Sequence, residues 1–129
     1  VIYDPIKDEL FYAEKNGGSY LNNKSIRVSK KNNISDCLYG VNFRKNLPEN
    51  LIIRNTGSAA LDLAYVSCGR FDVCLEKNVN LWDIAAGTVL IKEAGGVVDN
   101  FEFKEFNKIS IKASNERISG ALNKKINIF

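Results

Sequence analysis

The stretch Leu81 to Gly96, LWDIAAGTVLIKEAGG, decides how the rest of this chain is read. It places one acidic side chain, Asp83, where a helix should begin. Ile84, Val89, Leu90 and Ile91 supply apolar surface, Ala85-Ala86-Gly87 almost no bulk, and Gly95-Gly96 an ending that tolerates left-handed backbone. The pattern predicts a buried helix with one acid in its first turn. A carboxylate is favoured there because the first N–H groups of a helix lack intrahelical acceptors and the macrodipole is positive at that end. Held as an anion, it also suits a hard divalent cation. On spacing alone a cap, worth about 1 kcal/mol, is a sufficient role for Asp83.

Working outward, Phe71 to Glu76 reads as a strand and Lys77 to Asn80 as a polar loop delivering the chain to Trp82 and Asp83. Before it, Ala59 to Cys68 is apolar nearly all round except at Asp62, as a helix buried between layers should be, with Gly69 as its C-cap. Ile52 to Thr56 is a short β-branched strand leading into Gly57-Ser58, whose backbone N–H groups at a helix start suit a polar or anionic group. Cys37 to Phe43 is a further strand, and Arg44 to Asn50, with Pro48, a loop. Downstream, Val97-Val98 and Ser110 to Ala113 are strands either side of a connector from Phe101 to Lys108. Asn115 caps an amphipathic helix carrying Ile118, Leu122 and Ile126 at intervals of four.

The first 29 residues differ. Val1 to Tyr3, Glu9 to Glu14 and Ile26 to Val28 read as strands, with reversals at Asn16-Gly17-Gly18 and Asn22-Asn23. Such a β-meander cannot bury both faces alone. The expected organisation is therefore an antiparallel hairpin region over 1–29 and a layered α/β region with a mixed sheet between helices over 30–129.

With 129 residues, 45% of them hydrophobic, the chain has the size and the apolar content for a real core. A net charge of +3 does not point to nucleic acid or a membrane surface, and Lys30-Lys31 reads as a solvated loop. Cys37, Cys68 and Cys74 have neither disulfide nor zinc spacing, which fits reduced thiols in the cytoplasm. No apolar run is long enough to span a bilayer, and the start lacks the plan of a signal peptide. The first residue is Val1 rather than Met, a hint that sequence lies upstream.

The absence of histidine removes Ser-His-Asp and Cys-His nucleophile systems from this chain, and with them a nucleophilic Ser58. Neither G-x-x-x-x-G-K-[ST] nor G-x-G-x-x-G occurs. Carboxylate chemistry remains, with Asp83 and Glu76 near strand ends or helix starts, where α/β folds hold ligands. Each has a plainer role: Glu76 as a solvated charge, Gly57 as a turn, Trp82 as a packing anchor, Cys68 and Cys74 as core hydrophobes. Arg54 stands equally for an ion pair and a ligand contact.

The run WDIAAGTVLIKEAGG, Trp82 to Gly96, resembles the signature W-D-x-A-A-G-x-x-L-x-x-E-A-G-G of the inositol monophosphatase family. RNTGSAALDLAYVSCGRFD, Arg54 to Asp72, resembles that family's substrate-side helix. YDPIKDELFYAEKNGGSYLNNKSIRVS, Tyr3 to Ser29, resembles its central hairpins, and the bacterial extragenic suppressor branch is most similar. The resemblance implies the C-terminal half of a magnesium-dependent, lithium-sensitive sugar-phosphate phosphatase. The position of Asp83 would be a metal ligand that also meets a substrate hydroxyl, and that of Glu76 an acceptor for the inositol ring. Gly57 and Ala59 would approach hydroxyls with their backbones, with Ser58 between them. The implied cofactor is Mg2+. The implied partners are an inositol or sugar phosphate and a second copy in a homodimer; nucleic acid is not expected.

Two departures qualify this. The family's upstream acidic motif, with two aspartates and an earlier glutamate, has no counterpart here, and only a loop stands between Phe43 and Arg54 where the family has a helix. The resemblance thus implies a fragment nearly inactive alone. The alternatives are a non-catalytic, transcription-associated protein-binding module and a decayed gene remnant.

Overall fold

Turn residues set the first sheet. In the computed structural model, which describes residues 1–99, 105 and 108–126, Asn16, Gly18, Asn22 and Asn23 all have positive φ, between 46° and 81°. Asparagine and glycine adopt that conformation most readily, so reversals fall at these positions. Strands β1 (Ile2–Asp4), β2 (Glu9–Ala13), β3 (Ser19–Leu21) and β4 (Lys24–Ser25) pair antiparallel in chain order. Their registers set Ile2 opposite Phe11 and Phe11 opposite Leu21, so one face is apolar.

The last strand of the meander departs from the sequence reading. It is Lys24–Ser25, not Ile26 to Val28. Ile26 N–H still donates to Ser19 O at 2.9 Å, but Val28 N–H donates to Ala94 O at 3.1 Å, beyond the sheet. Ile26 and Val28 pack against the core, so burial draws them off the ladder.

A second, five-stranded sheet has the order β6-β5-β7-β9-β8, with β5 Leu38–Val41, β6 Ile52–Arg54, β7 Val73–Val79, β8 Gly96–Asp99 and β9 Ile109–Asn115. Strands β6, β5 and β7 are parallel, whereas β9 runs antiparallel to both β7 and β8. The sheet is mixed, as expected. Helices are α1 (Ala59–Ser67), α2 (Leu81–Glu93) and α3 (Glu116–Lys125). Residues 42–51 form turns without a helix, as read, while the connector Phe101 to Lys108 lies outside the described residues except at 105 and 108.

The layers follow from which residues meet. Ile2 and Phe11 of the first sheet, Leu63, Val66, Ile84, Leu90 and Ile91 of α1 and α2, and Cys74, Ile109 and Ile111 of the second sheet share one apolar cluster. On the other side of the second sheet, Tyr39, Val41, Val73 and Leu75 pack with Ile118 and Leu122 of α3 and with Ile126 just past its end. The order is thus sheet, helix pair, sheet, helix. Because side chains alternate along a strand, Cys74 and Glu76 of β7 point to the helix pair while Val73 and Leu75 point to α3.

Close contacts explain the small residues of α2. A Cβ on Gly87 would lie 2.5 Å from Leu63 Cβ, so glycine is what lets α1 and α2 touch. At the far end, Glu93 accepts from Asn16 N–H at 2.9 Å and Gly18 N–H at 3.1 Å. An acid is unfavourable to a helix C-terminus, but here its carboxylate satisfies the first hairpin's turn. The Lys30-Lys31 segment is also more than a solvated loop. Lys31 Nζ lies 2.9 Å from Asp72 Oδ2, and that buried carboxylate also accepts from Leu38 N–H at 2.7 Å, pinning the chain where the second sheet begins.

Candidate functional site

Three parallel strands end on the same side, and a polar cleft opens there. Its walls are Asn42 just past β5, Asn55, Gly57, Ser58, Ala59, Ala60 and Asp62 past β6, Glu76 and Val79 of β7, and Asp83 of α2. The volume is about 390 Å³. A position off the carboxyl ends of parallel strands, where neighbouring connections diverge, is where open α/β sheets hold ligands. The structure therefore brings together Gly57, Ser58, Ala59, Glu76 and Asp83, which the sequence supplies from three separate segments.

Each wall has a local cause. Gly57 has φ +82°, and a Cβ there would meet nothing within 4 Å, so the backbone conformation rather than crowding calls for glycine. Its N–H donates to Asn55 Oδ1 at 2.8 Å, and Ser58 N–H donates to Thr56 Oγ1 at 3.2 Å. The amide donors anticipated at Gly57-Ser58 are thus engaged in shaping the turn. Ser58 Oγ caps α1 by accepting from Leu61 N–H at 3.3 Å. Ala59 and Ala60 come next, small residues on the cleft wall in the first turn of α1.

Strand β7 does not stop at Glu76. It continues to Val79, with an irregular register between Glu76 and Val79 and Asn78 at φ 54°. The Asn42 side chain fills the irregularity, donating to Lys77 O and accepting from Lys77 N–H, both at 2.9 Å. An amide side chain imitating a peptide group extends the ladder that Lys77 to Asn80 was expected to leave as loop, and sets Asn42 beside Glu76.

Glu76 is not a solvated charge. It is 1% exposed, as is Asp62 on α1, and the two carboxyl groups are hydrogen-bonded to each other. Thr56 Oγ–H donates to Asp62 Oδ1 at 2.6 Å, tying the pair to the Gly57 turn. Burial first, and the adjoining Asp62 second, push the Glu76 carboxyl up to about 8. Burial also raises Asp62, against the hydrogen bond from Thr56. Two carboxyl groups in contact out of water cannot both ionise, so the pair holds one proton at neutral pH. The cleft therefore offers a shared donor and acceptor suited to hydroxyl groups.

Asp62 and Asn42 were not singled out as site residues from the sequence. For Asp62 a signal existed: a lone acid in an apolar helix must find a partner when buried. For Asn42 there was none.

Asp83 Oδ2 accepts from Asn80 N–H at 3.2 Å, so the capping role holds. Its Oδ1 has no hydrogen-bond partner among the described residues. Trp82 beside it is 69% exposed rather than a packing anchor, because the second position of α2 faces away from the core. Arg54 is exposed and donates to Ile53 O at 3.0 Å, with no ion pair among the described residues. Cys74 is fully buried and Cys68 partly so.

As a test for a metal, no group of three or more His, Cys, Asp or Glu able to hold one occurs among the described residues. Asp83 is a single carboxylate, and the Asp62–Glu76 pair retains a proton that opposes a cation. These residues do not by themselves fit a magnesium site.

Two sheets enclosing a helix pair, with a polar cleft off the parallel strand ends, define a layered α/β protein. The chain belongs to the inositol monophosphatase family, whose model matches residues 1–127. It is 39% identical to an inositol-1-monophosphatase of Rhizobium meliloti, over 98% of this chain and 54% of that protein. It is 38% identical to the Nus factor SuhB of Xylella fastidiosa, over 79% of this chain and 42% of that one. The extragenic suppressor protein suhB of Bartonella henselae superposes with a TM-score of 0.83 at 38% identity, covering 95% of this chain and 54% of that one. The chain spans about half the length of the curated relatives it matches. No helix among the described residues is long and apolar enough to cross a membrane.

Proposed function

We propose that this chain is the hydroxyl-recognising half of a magnesium-dependent phosphomonoesterase acting on inositol monophosphate or a related sugar phosphate. The observation that carries the reading is the convergence of the Gly57–Ala59 turn, Glu76 and Asp83 on one polar cleft. Glu76, sharing a proton with Asp62, meets ring hydroxyls; the small residues of the turn let the ring approach; Asp83 supplies one carboxylate to a metal site that other residues complete. Bound magnesium would polarise the phosphate and acidify a water. This chain's own residues contribute binding and orientation.

The test is phosphate release from inositol monophosphate with magnesium, using this chain with and without the remaining part of the family fold. The expected outcome is negligible turnover by the chain alone, turnover on supplementation, and loss of it in Asp83→Asn. Family-like turnover by the chain alone, unchanged by Asp83→Asn, overturns the assignment.

A second reading, a non-catalytic protein-binding module, is favoured by the absence of a three-ligand group among the described residues and by relatives named Nus factor. Capture of a transcription protein unaffected by Asp83→Ala, together with no turnover in the supplemented assay, would establish it instead.

A further inference from the structure

Two carboxyl groups share one proton in the cleft, and their surroundings decide which keeps it. Asp62 lies in the first turn of α1, where the helix dipole favours an anion. Thr56 Oγ–H donates to its Oδ1 at 2.6 Å, and Thr56 Oγ in turn accepts from Ser58 N–H at 3.2 Å. Glu76 stands on a strand. Apart from Asp62, the side chain bonded to it among the described residues is Cys74, whose Sγ is a weak donor to Oε1 at 3.8 Å. The negative charge therefore settles on Asp62 and the proton on Glu76, whose O–H donates to Asp62. A carboxyl group that spends its one proton on a protein partner has only lone pairs left for a ligand.

We propose that Asp62 sets the hydrogen-bond polarity of the cleft: by accepting the Glu76 proton it leaves Glu76 a neutral, acceptor-only wall that selects a donating hydroxyl over a carbonyl or carboxylate. Asp62 is thus a positioning residue that acts through Glu76. The inference rests on the reading of the cleft as a hydroxyl site and narrows the substrate class to polyols at the group that meets Glu76. A hydroxyl can donate there, whereas a carbonyl oxygen facing a second acceptor leaves both unpaired.

The test is ligand-observed NMR on this chain with myo-inositol and with inososes, which carry a ketone in place of one ring hydroxyl at different positions. Inositol should bind, and at least one inosose should bind about tenfold more weakly or worse. Equal binding of the whole set, or no inositol binding, overturns the proposal. Asp62→Asn offers Glu76 an amide donor in place of an acceptor, so Glu76 should ionise in the ordinary carboxylate range. Inositol affinity should then rise several-fold between about pH 4 and 6 in the variant, at the ordinary glutamate value. It should stay flat there in the native chain, where burial first and Asp62 second push Glu76 up to about 8. Asp83 of α2 and Cys74 of β7 face the same region in both proteins and do not produce the difference. Identical pH profiles overturn the proposal. In the double variant Asp62→Asn, Glu76→Gln, Thr56 holds the Asn oxygen, the Asn amide meets the Gln oxygen and the Gln amide turns to the cleft. The disfavoured inosose should then bind at least as well as inositol, and undiminished discrimination is a further refutation. Discrimination without phosphate release in the supplemented assay keeps this inference and removes the phosphatase reading; equal release from inositol monophosphate and its keto counterparts does the reverse.

Discussion

Glu76→Gln should flatten the dependence of stability on pH between about 5 and 8. In the native chain burial and Asp62 hold the Glu76 carboxyl protonated up to about 8, whereas an unfolded glutamate loses its proton near 4.5. The sign follows from proton counting. Below the unfolded value both states carry the proton and the stabilisation is fully present; between the two values only the native state carries it, so unfolding releases a proton and stability falls as pH rises. The separation of 4.5 and about 8 corresponds to roughly 4–5 kcal/mol at about 1.4 kcal/mol per unit. Asp62 and Glu76 titrate as a pair, which divides the shift between them, so about 2 kcal/mol is the expected loss across the window. Glutamine has no proton to lose, and the variant should become more stable relative to the native chain as pH rises. The carboxylate of Glu9, lowered by its hydrogen bond from Arg70, gives the opposite slope but only below its ordinary value near 4.5. The measurement is urea unfolding followed by circular dichroism at about pH 5 and about pH 8 for both proteins. A native chain whose stability is flat or rises over that interval, or a slope that survives in Glu76→Gln, would refute the buried shared proton.

Two further outcomes follow from packing and hydrogen bonding. Gly87→Ala should destabilise by about 1–3 kcal/mol despite alanine's better helix propensity, because the new methyl meets Leu63 at 2.5 Å; unchanged or increased stability on urea unfolding would contradict that contact. Glu93→Ala should cost about 1–2 kcal/mol and speed amide exchange at Asn16 and Gly18, and unaltered exchange at those two amides would show that the carboxylate does not hold the turn.

The helices were legible because their apolar runs carry caps: Ser58 and Asn115 each accept from their own first turn, as residues of that type do. The hairpin reversals were legible in Asn16 to Gly18 and Asn22-Asn23 because positive φ selects those residues. Strand limits were not. Ile26 and Val28 have strand character, yet burial beside α2 takes them from the ladder. At β7, the far side chain of Asn42 extends pairing that no local propensity encodes. The cleft divides the same way. Gly57, Glu76 and Asp83 stood out by residue type and by family resemblance, while the burial of Glu76 against Asp62 depends on two layers meeting. Trp82 was misread because a tryptophan's apolar surface argues for burial, whereas its place in the first turn of α2 turns it away from the core.

The two ends of α2 do separate jobs, with Asp83 at the cleft and Glu93 on the hairpin between β2 and β3. A helix of 13 residues makes a rod about 20 Å long at about 1.5 Å per residue. The hairpin is thereby indexed to the cleft: a residue inserted at Gly17 would shift one of the two amides off the Glu93 carboxylate or drag the rod along its axis. A turn remote from the ligand walls should therefore be nearly as intolerant of length change as the walls themselves, although its side chains touch no ligand.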